Sequence, residues 1–304
     1  MYRMQRKAIK FSLAEKTGGI ALLLALLLSF LGPVPAVFPL SFFLLCCLVA
    51  PFLPTVGFFL PVICRGNPQN KQVALTFDDG PSPIFTPILL DLLARYKLPA
   101  TFFVVGRQAA KYPELIAAIL AQGHSIGNHS LRHDPFLMLR RSKTLQEDIH
   151  ATQEILKKQG IIPLVFRPPV GITNPRLKGV LVQENLVAVN YSCQALDRGN
   201  RNVYNLSEKI LLRLQPGDII MLHDLPPQRI RSLCSGFCSV GGVKDGPGAR
   251  SDYWQKELDH LFAVLKDKYQ VVSLEEIIQQ PVMMNAPDRS VHYKVKVEKN
   301  RVVS

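Results

Sequence analysis

The pattern of apolar and polar residues changes near residue 66, where an almost wholly apolar segment gives way to short apolar runs alternating with amphipathic stretches. No charged side chain occurs between Lys16 and Arg65, a length of roughly two membrane spans at about 20 residues each. A break rich in Gly and Pro separates one apolar block over 18–31 from another over 38–64. The pattern predicts a membrane anchor over residues 1–66, best interpreted as a two-helix hairpin.

The topology of this anchor has two interpretations. An excess of Lys and Arg before residue 17 places the N-terminus in the cytosol. A hairpin would then return the rest of the chain to the cytosolic side. The alternative is one signal-anchor helix followed by an apolar segment on the outer surface, and Val34-Pro35-Ala36 does resemble a signal-peptidase site. Both interpretations predict a location in the bacterial cytoplasmic membrane, with the side of the larger domain left open.

The remainder of the chain has the pattern of an α/β fold. Runs rich in β-branched and aromatic residues alternate with stretches whose apolar residues recur every three or four positions, which is typical of parallel strands joined by helices. The predicted strands cover 71–77, 100–105, 125–127, 164–166, 186–191, 218–222 and 270–273. The predicted helices include 86–96, 113–122, 142–159, 207–214 and 252–268. About seven strands of this kind suggest a barrel or a barrel-like closed sheet.

Two segments depart from this alternation. Residues 226–251 are rich in Gly, Pro and basic side chains and predict a loop inserted in a domain over 67–280. Cys234 and Cys238 in this loop could pair or bind a metal, although free thiols are the preferred interpretation. Residues 281–304 form a C-terminal tail, in which the alternating stretch 291–304 fits an edge strand and a solvated tail equally well.

The net charge of +13 indicates an anionic neighbour. Lipid headgroups, a lipid-linked phosphate and an acidic glycan all fit this charge. The basic residues are scattered, and no basic stripe is interleaved with aromatic side chains. A nucleic-acid partner is therefore not predicted.

Candidate catalytic residues follow several predicted strands, which is where parallel barrels carry their active sites. Asp78 and Asp79 come directly after the first strand. Such a pair before Gly often forms only a turn. Adjacent residues leaving a strand point in different directions, however, so one carboxylate can bind a metal while the other acts as a base on water.

His129 and His133 are four residues apart, a spacing that on a helical turn places both imidazoles on one face and lets them bind one zinc. A chance pair would more often lie on the surface. Together with Asp79 they supply two nitrogens and one oxygen and leave a fourth position for water, as catalytic zinc requires.

Three further groups follow later strands. They are the segment from Phe166 and Arg167 to Gly171, Asp197, and the segment Leu222-His223-Asp224. Each has a structural interpretation when taken alone, such as a loop held by a salt bridge or a buried strand-end histidine.

In this order, the five groups resemble the motifs of the polysaccharide deacetylase family, also called the NodB homology domain or carbohydrate esterase family four. The resemblance covers residues 71–278 approximately. It implies a distorted (β/α) barrel and the metal-dependent removal of N-acetyl groups from amino sugars. It implies zinc as the most fitting divalent metal, with cobalt and nickel as alternatives.

The resemblance also implies roles for individual residues. Asp78 would be the catalytic base, oriented by Arg167, and the metal ligands would be Asp79, His129 and His133. These assignments agree with the chemistry of amide cleavage, in which a metal polarises the carbonyl while a carboxylate takes a proton from water.

The remaining implied roles concern the substrate and the leaving group. The backbone N–H of Val170 would hold the oxyanion, and Leu222 would line the pocket for the acyl methyl. His223 would be the general acid, tuned by Asp197. Val170 occupies a position that is commonly aromatic in the family, and Gln194 and Arg198 also depart from its pattern, so substrate recognition is less well defined than catalysis.

Three functions follow from these observations. The first is a deacetylase acting on a glycan polymer such as peptidoglycan or an exopolysaccharide. The second is a deacetylase or deformylase of a lipid-linked amino sugar at the cytosolic membrane face, which the hairpin and the basic charge favour. The third is an inactive glycan-binding membrane protein, against which the presence of the base, the three ligands and the acid argues.

Overall fold

A computed structural model describes residues 11–53, 55–69, 71–197, 199–200, 203–225 and 247–286. The chain begins with two apolar helices, α1 (Leu13–Ser29) and α2 (Pro33–Val49). Ser12 and Glu15 form a reciprocal capping box at the start of α1. The helices pack closely, since a Cβ added at Gly18 would lie 3.0 Å from the ring of Phe43.

Within the described residues, α2 and the 3-10 turn that follows it have the length and apolarity of one membrane span, Pro33–Phe52, with a mean hydropathy of 2.2. Helix α1 has 17 residues, which lies at the short end of the range of about 17–25 for a spanning helix. The two helices of the predicted hairpin are therefore present, while their insertion in a membrane stays a prediction.

Most of the eleven described strands of the larger domain form a curled parallel sheet. The eleven strands are β1 (Val62–Ile63), β2 (Gln72–Asp78), β3 (Ala100–Val104), β4 (Ser125–Asn128), β5 (Ile161–Pro163), β6 (Val165–Phe166), β7 (Val187–Val189), β8 (Cys193–Gln194), β9 (Ile219–His223), β10 (Gln270–Val272) and β11 (Met283–Asn285). Nine of them form one sheet in the order β1-β7-β6-β4-β3-β2-β9-β8, with β10 paired to the first part of β2. The predicted distorted (β/α) barrel is confirmed.

The helices of this domain cover the outside of the sheet. They are α3 (Phe85–Tyr96), α4 (Gly106–Lys111), α5 (Pro113–Ala121), α6 (Ser142–Lys158), α7 (Leu177–Gln183), α8 (Leu206–Leu211), α9 (Pro247–Lys268) and α10 (Leu274–Ile278). All seven predicted strands and all five named helices have counterparts. The additional elements are short, so their apolar patterns give little periodic signal.

Three predictions concern the end of the chain. Helix α9 begins at Pro247, so the last five residues of the predicted loop 226–251 are helical. Residues 226–246, with Cys234 and Cys238, lie outside the described residues, as does the stretch 291–304. In the predicted tail, β11 pairs in antiparallel fashion with β5, a strand that the sequence did not indicate.

Strand alternation divides the core into two layers. Along β2, Val73, Leu75 and Phe77 point outward to a cluster that includes residues of α3 and α9. Ala74 points into the barrel, where it joins Phe103 and other residues. The later positions of β2 that also point into the barrel lie nearer to its carboxyl end, where the candidate site lies.

The base of the helical hairpin packs on the larger domain. Phe58, Phe59 and Leu60 belong to one buried cluster with residues of α6 and α7. The Ala14 N–H donates to the carbonyl of Phe58 at 2.8 Å. The sheet itself reaches into the segment that was predicted to be the anchor, because β1 pairs with β7. The sheet of the larger domain therefore includes two residues that precede the predicted boundary at residue 66, while the boundary itself stays a prediction.

Candidate active site

A buried ion pair holds the carboxylate at the end of β2. Asp78 is 3% exposed, and its Oδ1 accepts a 2.7 Å hydrogen bond from Arg167 Nη1. Arg167 is fully buried and also donates to Thr76 Oγ1 and to two backbone carbonyls at the end of β7. Its guanidinium carbon lies 4.0 Å from the ring centroid of Phe103. These contacts fix the orientation of Asp78 and leave its Oδ2 directed at the cleft.

Three candidate ligand atoms converge beside this pair. One ligand atom from each of Asp79, His129 and His133 lies within 4.8 Å of the others. Asp79 Oδ1 is 3.3 Å from His129 Nε2 and 3.1 Å from His133 Nε2. This oxygen is buried and has no hydrogen-bond partner among the described residues. Such an orphaned carboxylate oxygen facing two imidazoles fits a divalent cation.

The tautomer of His129 also suits metal binding. Its Nδ1 lies 2.8 Å from the carbonyl oxygen of Arg167, which can only accept, so Nδ1 carries the proton. Nε2 is left with its lone pair toward Asp79, the arrangement found for histidine ligands whose other nitrogen binds a carbonyl. Burial raises the pKa of Asp79, but its electrostatic interactions with His129 and His133 outweigh it, so the net pKa is well below its ordinary value.

The backbone around the two histidines differs from the predicted helical turn. They were expected to share a face of a helical turn, but β4 ends at Asn128 and both lie in an irregular loop. Ser130 and His133 have positive φ values of 68° and 51°, and these turns bring the imidazole centroids to 5.0 Å. The pairing of the histidines was therefore predicted correctly for the wrong reason.

Positive φ angles recur across the candidate site. Asp79 has a φ of 75° and Val170 a φ of 52°, in addition to the two residues of the histidine loop. Non-glycine residues rarely adopt this region and cost about 1–3 kcal/mol when they do. Their concentration around one cleft is typical of a functional site.

A second ion pair lines the cleft from the strand next to β2. His223 ends β9 directly beside Asp78 in the strand register, and its Nδ1 is 3.0 Å from Asp197 Oδ2. Burial lowers the pKa of His223, but the hydrogen bond and charge of Asp197 outweigh it and raise the pKa to about 9. His223 is therefore an imidazolium at neutral pH, with Nε2 as the nitrogen able to reach a substrate.

The residue that holds this pair together was not predicted from the sequence. Asn200 is 1% exposed, and its backbone N–H donates to Asp197 Oδ2 at 3.3 Å. Its side-chain amide donates to the carbonyls of His223 and Leu225 at 3.0 and 2.6 Å. The sequence around a single Asn in a polar loop does not indicate this role, because the role depends on contacts that form only when the barrel closes.

Asp224 belongs to one of the predicted candidate groups, but no role was predicted for its side chain. Its side chain is buried, its Oδ2 accepts a 2.5 Å hydrogen bond from Thr86, and its N–H donates to the carbonyl of Asp78. Burial raises its pKa to about 7 in spite of the bond from Thr86. A Cβ at Gly80 would overlap the Asp224 carboxylate, so this position requires glycine.

The structure brings all but one of the predicted site residues to a single cleft of about 930 Å³. Asp78, Asp79, His129, His133, Val170, Asp197 and His223 line it, and Arg167 lies beneath Asp78. Leu222 does not reach it. That side chain is 1% exposed and belongs to the outer core layer with Phe77. Strand alternation turns Met221 into the cleft instead, so the prediction for Leu222 is wrong by one residue.

Similar proteins carry a consistent set of names. Residues 65–189 match the family described as polysaccharide deacetylase. The chitooligosaccharide deacetylase of Sinorhizobium fredii is 33% identical over 181 residues, which cover 59% of this chain and 84% of the relative. A peptidoglycan-N-acetylglucosamine deacetylase of Bacillus cereus is 35% identical over 160 residues, which cover 52% of this chain and 75% of the relative.

Solved structures agree with these similarities. The Bc1960 peptidoglycan N-acetylglucosamine deacetylase, in complex with 4-naphthalen-1-yl-N-oxidanyl-benzamide, is 29% identical with a TM-score of 0.61 and covers 73% of this chain and 94% of its own. A family 4 carbohydrate esterase from Bacillus anthracis is 25% identical with a TM-score of 0.54, over 71% of this chain and 86% of its own.

Proposed function

The chain belongs to the polysaccharide deacetylase family, and from this membership we propose that it hydrolyses the N-acetyl groups of an amino-sugar polymer such as peptidoglycan or a chito-oligosaccharide. The observation that carries the proposal is the placement of two ionisable groups on adjacent strands. Asp78 and His223 face one cleft, each with its own buried partner, and the three candidate metal ligands lie beside Asp78. A base and an acid on either side of a metal site suit amide hydrolysis.

The candidate metal ligands are Asp79, His129 and His133, and zinc fits this set of two nitrogens and one oxygen, with cobalt or nickel as alternatives. A divalent cation bound there would supply Lewis acidity toward the amide carbonyl and a water molecule.

The side chains of the protein perform the proton transfers in this proposal. Asp78 Oδ2 takes the proton of the attacking water, while Arg167 keeps Oδ1 occupied and the carboxylate in position. Val170 lines the cleft, and its backbone N–H donates to the developing oxyanion. Imidazolium His223 then donates its Nε2 proton to the leaving amine, and Asp197 keeps the ring oriented.

The direct test measures free amine and acetate released from chito-oligosaccharides and peptidoglycan by the full chain in detergent, with an Asp78→Asn variant as the inactive control. Equal release by the two proteins would exclude the proposed activity. An inactive glycan-binding role, the alternative of a different class, predicts binding without release.

The pH dependence of kcat should report His223. Because this residue must be protonated to donate, we expect kcat to remain level through neutral pH and to fall as the pH rises past about 9. Asp197→Asn removes the charge that raises the pKa, so the falling limb should move toward the ordinary imidazole value of about 6.5. The measurement is a pair of pH–rate profiles. A limb at the same pH in both proteins would contradict the assignment of the acid.

We further propose that residues 1–66 anchor the enzyme in the cytoplasmic membrane, ahead of a catalytic domain over 67–280. The hairpin supports this topology, because the start of α1 and the segment after α2 meet at the Ala14–Phe58 hydrogen bond. Lys178 of α7 also pairs with Glu15 at 3.1 Å. Both ends of the hairpin therefore adjoin the catalytic domain, and the turn between α1 and α2 is the part able to reach deepest into lipid.

This topology favours a second candidate function on the same site, the deacetylation or deformylation of a lipid-linked amino sugar at the cytosolic face. Reporter fusions at the two termini should then give the same cytosolic signal. An extracytoplasmic signal at the C-terminus would remove this candidate and leave the glycan polymer as the substrate.

A further inference from the structure

One wall of the cleft carries two arginines that the proposed reaction does not use. Arg107 lies at the start of α4, and Arg132 lies inside the loop of the histidine ligands. Both line the cleft and both are exposed. The Arg107 N–H donates to the Leu131 carbonyl at 3.0 Å, so the two arginines come from adjoining chain segments.

The acidic groups that line the cleft are already engaged. Asp78 is paired with Arg167 and Asp197 with His223. Asp79 faces the two histidine ligands. Throughout the part of the chain that the structure describes, neither Arg107 nor Arg132 has an ion pair or side-chain hydrogen bond.

The carboxylates nearest to this wall offset only part of its charge, because Asp148 interacts electrostatically with both Arg132 and Arg107 but is one carboxylate near two guanidinium groups. Asp148 Oδ1 accepts the Leu131 N–H at 2.7 Å, and Asp134 Oδ2 accepts two hydrogen bonds from Arg140 at 3.2 Å. Neither carboxylate forms a described ion pair with Arg107 or Arg132. With two guanidinium groups and one neighbouring carboxylate, the net charge of this wall is positive.

The geometry points to a subsite for an acidic group, formed by Arg107 and Arg132, that holds a carboxylate or phosphate carried by the substrate next to the reacting amino sugar. This inference rests on the proposed function and narrows its substrate class to acidic N-acylated glycans. A guanidinium group offers a planar fork that matches both anions, and a charged cleft concentrates such ligands. The side chains sit on the rim, where solvent screens them, so they act on substrate preference and not on the proton transfers.

The test compares neutral and acidic probes on the full chain, loaded with zinc and kept in detergent micelles. Chitotetraose is the neutral substrate, a hyaluronan tetrasaccharide carries carboxylates on the neighbouring sugars, and UDP-N-acetylglucosamine carries phosphates. The variants are Arg107→Gln, Arg132→Gln and the pair. Arg141→Gln is the matched control, because Arg141 is exposed at the start of α6 and does not line the cleft.

Two quantities are measured, kcat/KM for each probe and the inhibition constant of each acidic probe against chitotetraose. The double variant should lower the acidic-to-neutral ratio of kcat/KM about tenfold, or raise the inhibition constant by the same factor. The control should change neither. Added salt should reduce the preference of the wild-type protein, since exposed charges are screened. Thermal unfolding of each variant, together with Arg→Lys changes that keep the charge, separates a binding effect from misfolding.

The outcomes distinguish a carboxylate from a phosphate as the acidic group of the substrate. They also distinguish failure of the proposed subsite from failure of the proposed function. A loss confined to hyaluronan identifies a carboxylate, and a loss confined to the nucleotide sugar identifies a phosphate. A wild-type protein that deacetylates chitotetraose with the same acidic-to-neutral ratio as the double variant overturns the subsite alone. A wild-type protein that releases no amine from any probe contradicts the proposed function itself.

Discussion

Replacing Asp78 by Asn should lower kcat for deacetylation by about 10³-fold, within the range of about 10²–10⁴ for loss of a general acid or base. The amide keeps an oxygen able to accept from Arg167, so the hydrogen bond at Oδ1 is retained. The group at Oδ2 loses its negative charge and its ability to take a proton from water. At about 1.4 kcal/mol per tenfold, this effect corresponds to roughly 4 kcal/mol of transition-state stabilisation.

Stability has to be measured in the same experiment. The Asp78→Asn change leaves a buried guanidinium without its counter-ion, and breaking a buried pair costs about 3–5 kcal/mol. Thermal unfolding therefore accompanies single-turnover kinetics on protein shown to be folded. Asp91→Asn is the control, because Asp91 is exposed on α3 and away from the cleft. A folded Asp78→Asn variant that retained a tenth of the activity would exclude Asp78 as the base.

Removing the metal site should have an effect of similar size. Chelation of the full chain, or replacement of His129 by Ala, should lower activity by at least about 10²-fold, because both remove the Lewis acid. The independent readout is metal content per chain after dialysis against zinc, which should fall from about one ion to near zero. His133→Ala should weaken binding less than His129→Ala, since His133 is more exposed and lacks the carbonyl bond that orients His129.

His150→Ala is the control for these variants. This exposed histidine pairs with Glu184 at 3.0 Å, outside the cleft. Its loss should leave both the metal content and the deacetylation rate unchanged. Retention of stoichiometric zinc by the His129→Ala protein would show that the ion binds elsewhere.

The barrel was predictable because its signals are local. Each inner strand is a short β-rich run, and the longer helices show an apolar periodicity, so seven strands and five of the helices of the larger domain were located from sequence. Strand ends were predictable for the same reason, and with them the convergence of Asp78, His129 and His223 at one edge of the sheet. The short β5 and β11 were missed because a pair of three-residue strands has almost no periodic pattern.

The finer parts of the site depend on contacts that no local pattern encodes. The histidine pair was attributed to a helical turn, whereas backbone turns at positive φ bring the rings together. The residue of β9 that lines the cleft was predicted one position too late, at Leu222 instead of Met221, because the direction of each side chain depends on the register of β9 against β2. Asn200 and the pair of Asp224 with Thr86 become apparent only when segments more than twenty residues apart meet.

The short strand β1 has a consequence for how the two parts of the protein depend on each other. It follows the apolar helices, pairs with β7, and leads into Arg65, whose guanidinium is 2.7 Å from the fully buried carboxylate of Asp218. A severed domain beginning at residue 67 would lose its edge strand and the partner of that buried charge. The segment that follows the apolar helices and the catalytic domain thus share one sheet, so a displacement of the helices would act on the β7 edge of that sheet.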